Sequence, residues 1–331
     1  MRIWIPTIRT GTGAEVYNRR LADGLRSRGH EVQLDIIDHK FQYFPWLSTV
    51  KPSHSIDVTV ANSWSATAFA KHSPLVTVLH HVVHGPELAP FKTRAQSAFH
   101  HWFVKSMERA AFKKSSRVIS VSEATAIDAR RCFSDISTSV ILNGVDTKFF
   151  TPGERTIEKD RPVNLLFVGK KSRRKGFDLV ARLVETLGSN CHFTCIGQSS
   201  ESGLRAPPGR YLGHVSREQL REFYRTSDFL VLPSRVEGFG YVAAEAMACG
   251  TPVICASNGA VAEIVQPPEA GIAIGDDIQS LVEHILAVAR NPQLHLNMCN
   301  NARSIAANRL DELRWLNEIE QLLLEVSKVG Q

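Results

Sequence analysis

The sequence predicts an α/β protein of two successive domains, each built on a parallel sheet. Three observations carry this expectation. The chain has 331 residues, about twice the size of a common single domain. Apolar, β-rich runs alternate with helical periodicity along most of it, the pattern of βαβ units. The alternation breaks once, in the turn- and charge-rich stretch NGVDTKFFTPGERTIEKDRP (143–162), and then restarts. Hydrophobic residues at 43% and charged residues at 22% exclude a disordered or fibrous chain.

The first domain, 1–150, opens with a strand at 2–5 and a helix from about Glu15 to Arg28. A strand at 31–37, strands near 57–61 and 75–80, a helix across 95–115 and short strands at 117–121 and 139–142 follow. The second domain, 151–308, repeats the scheme. VNLLFVG (163–169) precedes a helix at 177–187, and CHFTCIG (191–197) and RYLG (210–213) precede a helix at 216–226. FLVLPS (229–234), a helix at 241–249 and PVICAS (252–257) follow, and from about Ile278 to the end the pattern is helical. Both halves therefore read as Rossmann-like units. Residues 309–331 repeat Leu, Trp, Ile and Leu at helical spacing and are expected to form a helix that packs back on the first domain.

The six cysteines form no CxxC pair and have no histidine at finger-like spacing, so neither a disulfide framework nor a structural zinc is expected, and a reducing cytoplasm fits. MRIWIPTIRTG reads as a strand rather than a cleavable leader, and no run of eighteen apolar residues occurs. Charge is uneven. Residues 1–150 carry 19 Lys+Arg against 12 Asp+Glu and nine of the thirteen histidines, whereas 151–331 carry 20 against 21. A basic first half suits a phosphate-bearing substrate or an anionic membrane. The excess is too modest, and too bare of recognition motifs, for a nucleic-acid partner.

Ligands of open α/β sheets sit beyond the carboxyl ends of the strands, so chemistry is sought in strand-to-helix loops. In RTGTGAE (9–15), Gly11 and Gly13 let backbone approach a ligand at a helix N-terminus, a seat for phosphate. GKKSRRKG (169–176) places Lys170, Lys171, Arg173, Arg174 and Lys175 at a strand end, where an anionic leaving group needs neutralising. PSRVEGFGYVAAEAMACGTPV (233–253) holds Glu237 in a glycine-bearing loop and Glu245 eight positions on, in a run of small residues suited to packing on a sheet. Gly238 and Gly240 bring amides and a helix N-terminus to the same place. Two acceptor-only carboxylates at that spacing reach different hydroxyls of one ligand.

The last segment resembles the EGFG…EAMACGTPV signature of the retaining GT-B glycosyltransferases of family 4 (group 1), with its E-x7-E pair as Glu237 and Glu245. RGHEV (28–32), ISVSE (119–123), LNGVDTKFF (142–150), FVGKKSRRKGFDLV (167–180) and YLGHVSREQLREFYRTSDFLVLPS (211–234) agree in order. The resemblance spans nearly the whole chain, more densely in the second half. It implies a GT-B fold, two Rossmann-like domains facing across a cleft, and transfer of a sugar with retained anomeric configuration from a UDP- or GDP-sugar. It also implies roles. Glu245 would take the ribose diol. Glu237 and the amides of Gly238, Phe239 and Gly240 would address the donor sugar, and the amides of Tyr241 and Val242 the phosphates. Lys175 matches the lysine that neutralises the diphosphate. Lys170 stands where the family more often has arginine, so a point charge replaces a bidentate fork, and Arg173 or Arg174 compensates. Gly13 matches the first-domain loop that nears the phosphates. In VTVLHHVVHG (76–85), His80 best matches the histidine facing the donor sugar, with His81 close behind and His84 structural or acceptor-side. No cofactor or metal is expected, since cationic side chains and a helix dipole replace it; Asp276 and Asp277 read as an exposed pair.

The implied acceptor is a saccharide or lipid-linked saccharide of bacterial polysaccharide or glycoconjugate assembly. Two stretches are candidate contacts to an anionic membrane. FHHWFVKSMERAAFKKSSR (99–117) gathers Phe99, Trp102, Phe103, Met107 and Ala110 on one side, with basic residues elsewhere. FQYFPWL (41–47) is aromatic and uncharged. Packing of both into the core is the alternative. The rival functions are a sugar-nucleotide epimerase of the same fold and a non-catalytic binding scaffold.

Overall fold

The computed structural model describes residues 1–155, 161–197, 201–275 and 277–329. They form two compact units, Met1–Gly144 with Leu313–Gln331, and Val145–Glu312.

In the first unit the strands are β1 (Arg2–Ile8), β2 (Glu31–Ile37), β3 (Val58–Asn62), β4 (Leu75–Leu79), β5 (Arg117–Ser120) and β6 (Ser139–Val140). They pair in the order β2-β1-β3-β4-β5-β6, all parallel. β1, β3 and β4 are buried almost throughout, as parallel strands covered on both faces must be. The helices are α1 (Gly13–Ser27), α2 (Arg94–Ala98), α3 (Lys105–Lys114) and α4 (Glu123–Cys132), with a π-helical turn, Phe99–Val104, joining α2 to α3.

The 95–115 helix is thus interrupted by that turn, and its buried stripe differs from the one read from the sequence. Val104, Glu108 and Ala111 face inward, while Trp102 is 74% exposed. One extra residue per turn in the π segment shifts the register, which turns the aromatic stripe away from the sheet.

In the second unit the strands are β7 (Val163–Val168), β8 (Cys191–Ile196), β9 (Arg210–Leu212), β10 (Phe229–Leu232), β11 (Val253–Ala256) and β12 (Gly271–Ile274). Their order is β12-β11-β10-β7-β8-β9, again all parallel. The helices are α5 (Phe177–Leu187), α6 (Arg217–Thr226), α7 (Tyr241–Ala248), α8 (Gly259–Val265), α9 (Ile278–Ala289) and α10 (Pro292–Arg309). One continuous core of Val, Leu, Phe and Ile side chains from β7, α5, β8, β10 and α9 fills one face of this sheet. Counted within the unit, the order is the doubly wound 3-2-1-4-5-6, whereas the first unit follows the 2-1-3-4-5 pattern with an added edge strand.

The division falls after Gly144, six residues before the sequence boundary of 150. Local packing explains the shift. Arg217 stacks over the Phe149 ring at 4.1 Å, the Phe150 and Tyr224 rings meet at 6.0 Å, and Arg303 donates to the carbonyls of Thr147, Phe150 and Ala248. Val145 also pairs with Asp311 as a parallel bridge. The final helix, α11 (Glu312–Val329), buries Trp315 against Tyr17 at 5.0 Å, and Glu320 binds Arg28 and His30, each at 2.6 Å, all within the first unit. The boundary residues 156–160 and Asp276 lie outside the described residues, while Asp277 caps α9 through the amides of Gln279 and Ser280.

Candidate functional site

The second sheet changes winding direction between β7 and β10, and a doubly wound sheet opens its ligand crevice at such a point. The two loops flanking it are 169–176 and 233–240, the ones rich in cations and glycine. Backbone holds them together: the Arg235 amide donates to the Arg174 carbonyl at 2.9 Å, and the Arg174 guanidinium donates to the Val236 carbonyl at 3.0 Å. Arg235 also forms a fork with Asp178 of α5, both contacts at 2.7 Å, and that fork holds the Asp178 carboxyl below its usual range. Neither Arg235 nor Asp178 was marked by the sequence. They lie 57 residues apart, and nothing local announces the pair.

Across this seam the Lys175 ammonium donates directly to the Glu237 carboxylate, with both side chains about one-fifth exposed. The sequence placed each residue in the site, and the fold brings them into contact. Gly176 makes the approach feasible. Its φ is +72°, and a Cβ there would stand 2.2 Å from the Pro233 carbonyl oxygen. Gly240, at φ +99°, is the N-cap of α7. The first turn of that helix, Tyr241 and Val242, therefore starts at the loop carrying Glu237 and Gly238 and presents its positive dipole end there. Phe239 is buried beneath it, edge-on to Tyr241 at 5.3 Å.

Glu245 lies one turn further in and is buried, where the Tyr224 hydroxyl donates to it at 3.2 Å. Burial, with the Glu245 charge second, raises the Tyr224 pKa well above its usual value, so the phenol stays a donor. Tyr224, from α6, is a positioning residue that sequence reasoning missed. Lys170 and Arg173 are exposed on the rim, with the Arg173 amide tied to Glu201 at 2.9 Å, and the Lys171 ammonium lies over the Tyr211 ring at 5.4 Å.

In the first unit, Gly13 opens α1. The neighbouring amides of Thr10 and Gly11 donate to Glu15, at 3.3 and 3.2 Å, and Glu15 is held below its usual pKa chiefly by its hydrogen bond to Arg19. His80 follows β4. Its Nε2 lies 3.1 Å from the Asn62 Oδ1, an acceptor that fixes the proton on Nε2, and its ring sits edge-on to Tyr17 at 5.0 Å. Burial of the ring, with a smaller push from His81, lowers its pKa to about 3.

The folded pKa of His80 lies below the ordinary 6.5, so between those values the unfolded chain binds a proton that the folded chain does not. Stability from this group is present above pH 6.5 and is lost as pH falls toward 3. Urea midpoints measured from pH 7 down to pH 4 should therefore fall less steeply for His80→Gln than for the parent; parallel slopes would refute the assignment.

His84 belongs to a different arrangement. Its Nε2 donates to the buried Glu108 at 2.9 Å, and Glu108 also accepts from Ser63 at 2.7 Å. This network was not legible, because Glu108 sits in a run that reads as a basic amphipathic helix. The six cysteines are free, and among the described residues no group of three or more His, Cys, Asp or Glu is placed to hold a metal ion.

Residues 154–305 match the family described as Glycosyl transferases group 1, and residues 34–149 match Glycosyltransferase Family 4. The chain is 35% identical over 185 residues to a D-inositol 3-phosphate glycosyltransferase of Geodermatophilus obscurus, covering 47% of this chain and 41% of that one. To the enzyme of the same name from Nocardiopsis dassonvillei it is 30% identical over 241 residues, 64% and 55% of the two chains. The matches thus span about half or less of these relatives' length. Among solved structures, sucrose-phosphate synthase from Thermosynechococcus elongatus superposes with a TM-score of 0.80 at 19% identity, over 99% of both chains. Anabaena Alr3699/HepE in complex with UDP and glucose gives 0.76 at 19%, over 98% and 100%. WaaG, a glycosyltransferase involved in lipopolysaccharide biosynthesis, gives 0.75 at 18%, over 98% and 99%. With matches to the two family models running in order along most of its length, on a fold shared with these solved proteins, the chain belongs to the GT-B glycosyltransferases of family 4, group 1.

Proposed function

We propose that the protein is a retaining glycosyltransferase that moves a sugar from a UDP- or GDP-sugar to a saccharide or lipid-linked saccharide acceptor in bacterial polysaccharide or glycoconjugate assembly. The observation that carries this reading is the Lys175–Glu237 contact joining two strand-end loops at the start of α7, with Glu245 buried behind it on Tyr224. Neighbours of the same fold have been solved with UDP and with UDP-glucose, which supports a nucleotide-sugar ligand.

In the reaction, the bond between the anomeric carbon and the diphosphate oxygen breaks and a bond to the acceptor oxygen forms on the same face. The acceptor proton passes to the departing phosphate. Negative charge grows on the diphosphate, where Lys175, the rim cations Lys170 and Arg173, and the amides of Tyr241 and Val242 stabilise it. Glu237 then holds sugar hydroxyls beside the amides of Gly238, Phe239 and Gly240, while Glu245 accepts from the ribose diol. In the first unit, Gly13 leaves the backbone open at the start of α1, and the neutral His80 ring is suited to be a hydrogen-bond partner rather than a charge. The reading invokes no cofactor or metal. The names of the curated relatives make a phosphorylated polyol worth including among acceptors screened.

The test is a thermal-shift panel of UDP, GDP, ADP, dTDP and their sugar conjugates, because a ligand that binds only the folded state raises the melting temperature. One nucleotide should stand out. Glu245→Gln keeps a partner for Tyr224 but not the charge, and should weaken that nucleotide's binding by about tenfold. No shift with any nucleotide would sink the reading in favour of a binding scaffold. Release of an epimerised sugar without acceptor would favour an epimerase.

A further inference from the structure

The first unit carries an exposed aromatic patch assembled from two segments distant in sequence. Tyr43, Phe44, Trp46 and Leu47 come from the stretch after β2, and Phe99, Trp102 and Phe103 from the π-helical turn. The rings interlock. Phe99 stacks on Phe103 at 5.0 Å, Phe103 meets Trp46 at 5.6 Å and Phe44 at 6.2 Å, and Tyr43 meets Phe99 at 5.9 Å. Trp46, Leu47 and Trp102 are 51%, 61% and 74% exposed, although Phe41 and Pro45 in the same loop turn inward and anchor it. The exposure is therefore built into a fixed loop. Large apolar side chains gathered on a surface mark a contact site rather than ordinary scatter.

Charge selects the occupant. Residues 39–56 and 88–107, which hold the whole patch, contain no Asp or Glu, yet carry Lys40, Lys51, Lys92, Arg94 and Lys105 and four histidines. Lys40, Lys51 and Arg94 are exposed. The flanking carboxylates are engaged elsewhere: Asp38 caps the Lys40 amide, Glu87 sits by Arg131, and Glu108 is buried with His84. Beside Trp102 opens a cavity of about 330 Å³ lined by Lys92, Ser97 and His101 among others, which offers a phosphate group both cationic and hydroxyl partners. Trp and Tyr settle at the headgroup level of a bilayer, and a carboxylate-free basic surround is attracted to anionic lipid.

We propose that this patch is a monotopic docking surface for an anionic lipid bilayer, with Trp46, Leu47 and Trp102 entering the interface and Lys40, Lys51 and Arg94 facing the headgroups. Side chains that enter only the interface make attachment through this surface peripheral; among the described residues no helix is long and apolar enough to cross a membrane. The proposal stands apart from the donor reading, since its test uses no nucleotide.

The full chain is sedimented with vesicles of phosphatidylcholine alone and of phosphatidylcholine mixed with phosphatidylglycerol, at low and high salt. Binding to the anionic vesicles at low salt is expected, with a blue shift in tryptophan emission. That shift can arise only from tryptophans still open to water, since Trp4 and Trp315 are fully buried. The triple variant Trp46→Ser, Leu47→Ser, Trp102→Ser should weaken binding by about tenfold or more. Trp102→Ser alone, at the most exposed position, serves if the triple variant misfolds, and Lys40→Gln with Arg94→Gln should remove much of the salt sensitivity. No sedimentation of the parent with anionic vesicles, or binding unchanged by these substitutions, overturns the proposal. Self-association abolished by the triple variant, without vesicle binding, would make the patch a dimer face and also overturn it.

Discussion

Lys175→Met should lower turnover of the donor by about 10²–10³-fold, the usual consequence of removing a donor aimed at charge that develops in the transition state. Two effects add. On the proposed function the substitution deletes positive charge beside the departing diphosphate, and it removes the ammonium paired with the Glu237 carboxylate, which is four-fifths shielded from water. Lys175→Arg restores the charge without the point-like geometry and should recover only part of the rate. Because the two residues touch, Lys175→Met combined with Glu237→Gln should cost much less than the product of the single losses. Steady-state kinetics on the parent, Lys175→Met, Glu237→Gln, the double variant and Lys175→Arg, each first checked for an unchanged melting temperature, decides this. Independent, multiplicative losses would show that the contact has no part in catalysis.

Gly176→Ala should strongly destabilise the second unit. The residue sits at φ +72°, where an L side chain costs about 1–2 kcal/mol, and its Cβ would collide with the Pro233 backbone carbonyl at 2.2 Å. A backbone oxygen cannot swing aside, so overpacking adds a further cost of about 1–3 kcal/mol. The total of about 3 kcal/mol corresponds to a fall of about 10 °C in melting temperature for a domain of this size. Gly203→Ala is the control: its φ is also positive, at +76°, but a Cβ there meets nothing within 4 Å. Equal losses at the two glycines would mean that backbone conformation alone, not contact with the second loop, sets the cost.

Much of this was legible in the sequence because parallel strands and strand-end loops write themselves locally. FLVLPS and VNLLFVG are continuous apolar runs, and the cations and glycines follow them directly. Lys175 and Glu237 were therefore placeable as members of one site, although their contact spans 62 positions and only the fold creates it. What escaped notice was of two kinds. Partners such as Tyr224, Asp178 and Glu108 take their meaning from another element, and no local pattern marks a carboxylate that will be buried. The outward turn of Trp102 escaped because regular helical spacing was assumed through a segment that a π turn re-registers. Strand β12 and helix α8 were missed too; α8 has only seven residues, too short for periodicity to declare it.

The first unit is discontinuous in the chain: Trp315 packs on Tyr17, and Arg314 reaches the Leu142 carbonyl, so residues beyond 312 finish what residues 1–144 begin. A ribosome delivers the polypeptide from its amino end, and contacts of such long sequence separation wait for their latest member. The portion synthesised first must accordingly hold its unfinished apolar seam until the final helix emerges, while the portion synthesised in between can close on itself earlier. Birth order and completion order are reversed.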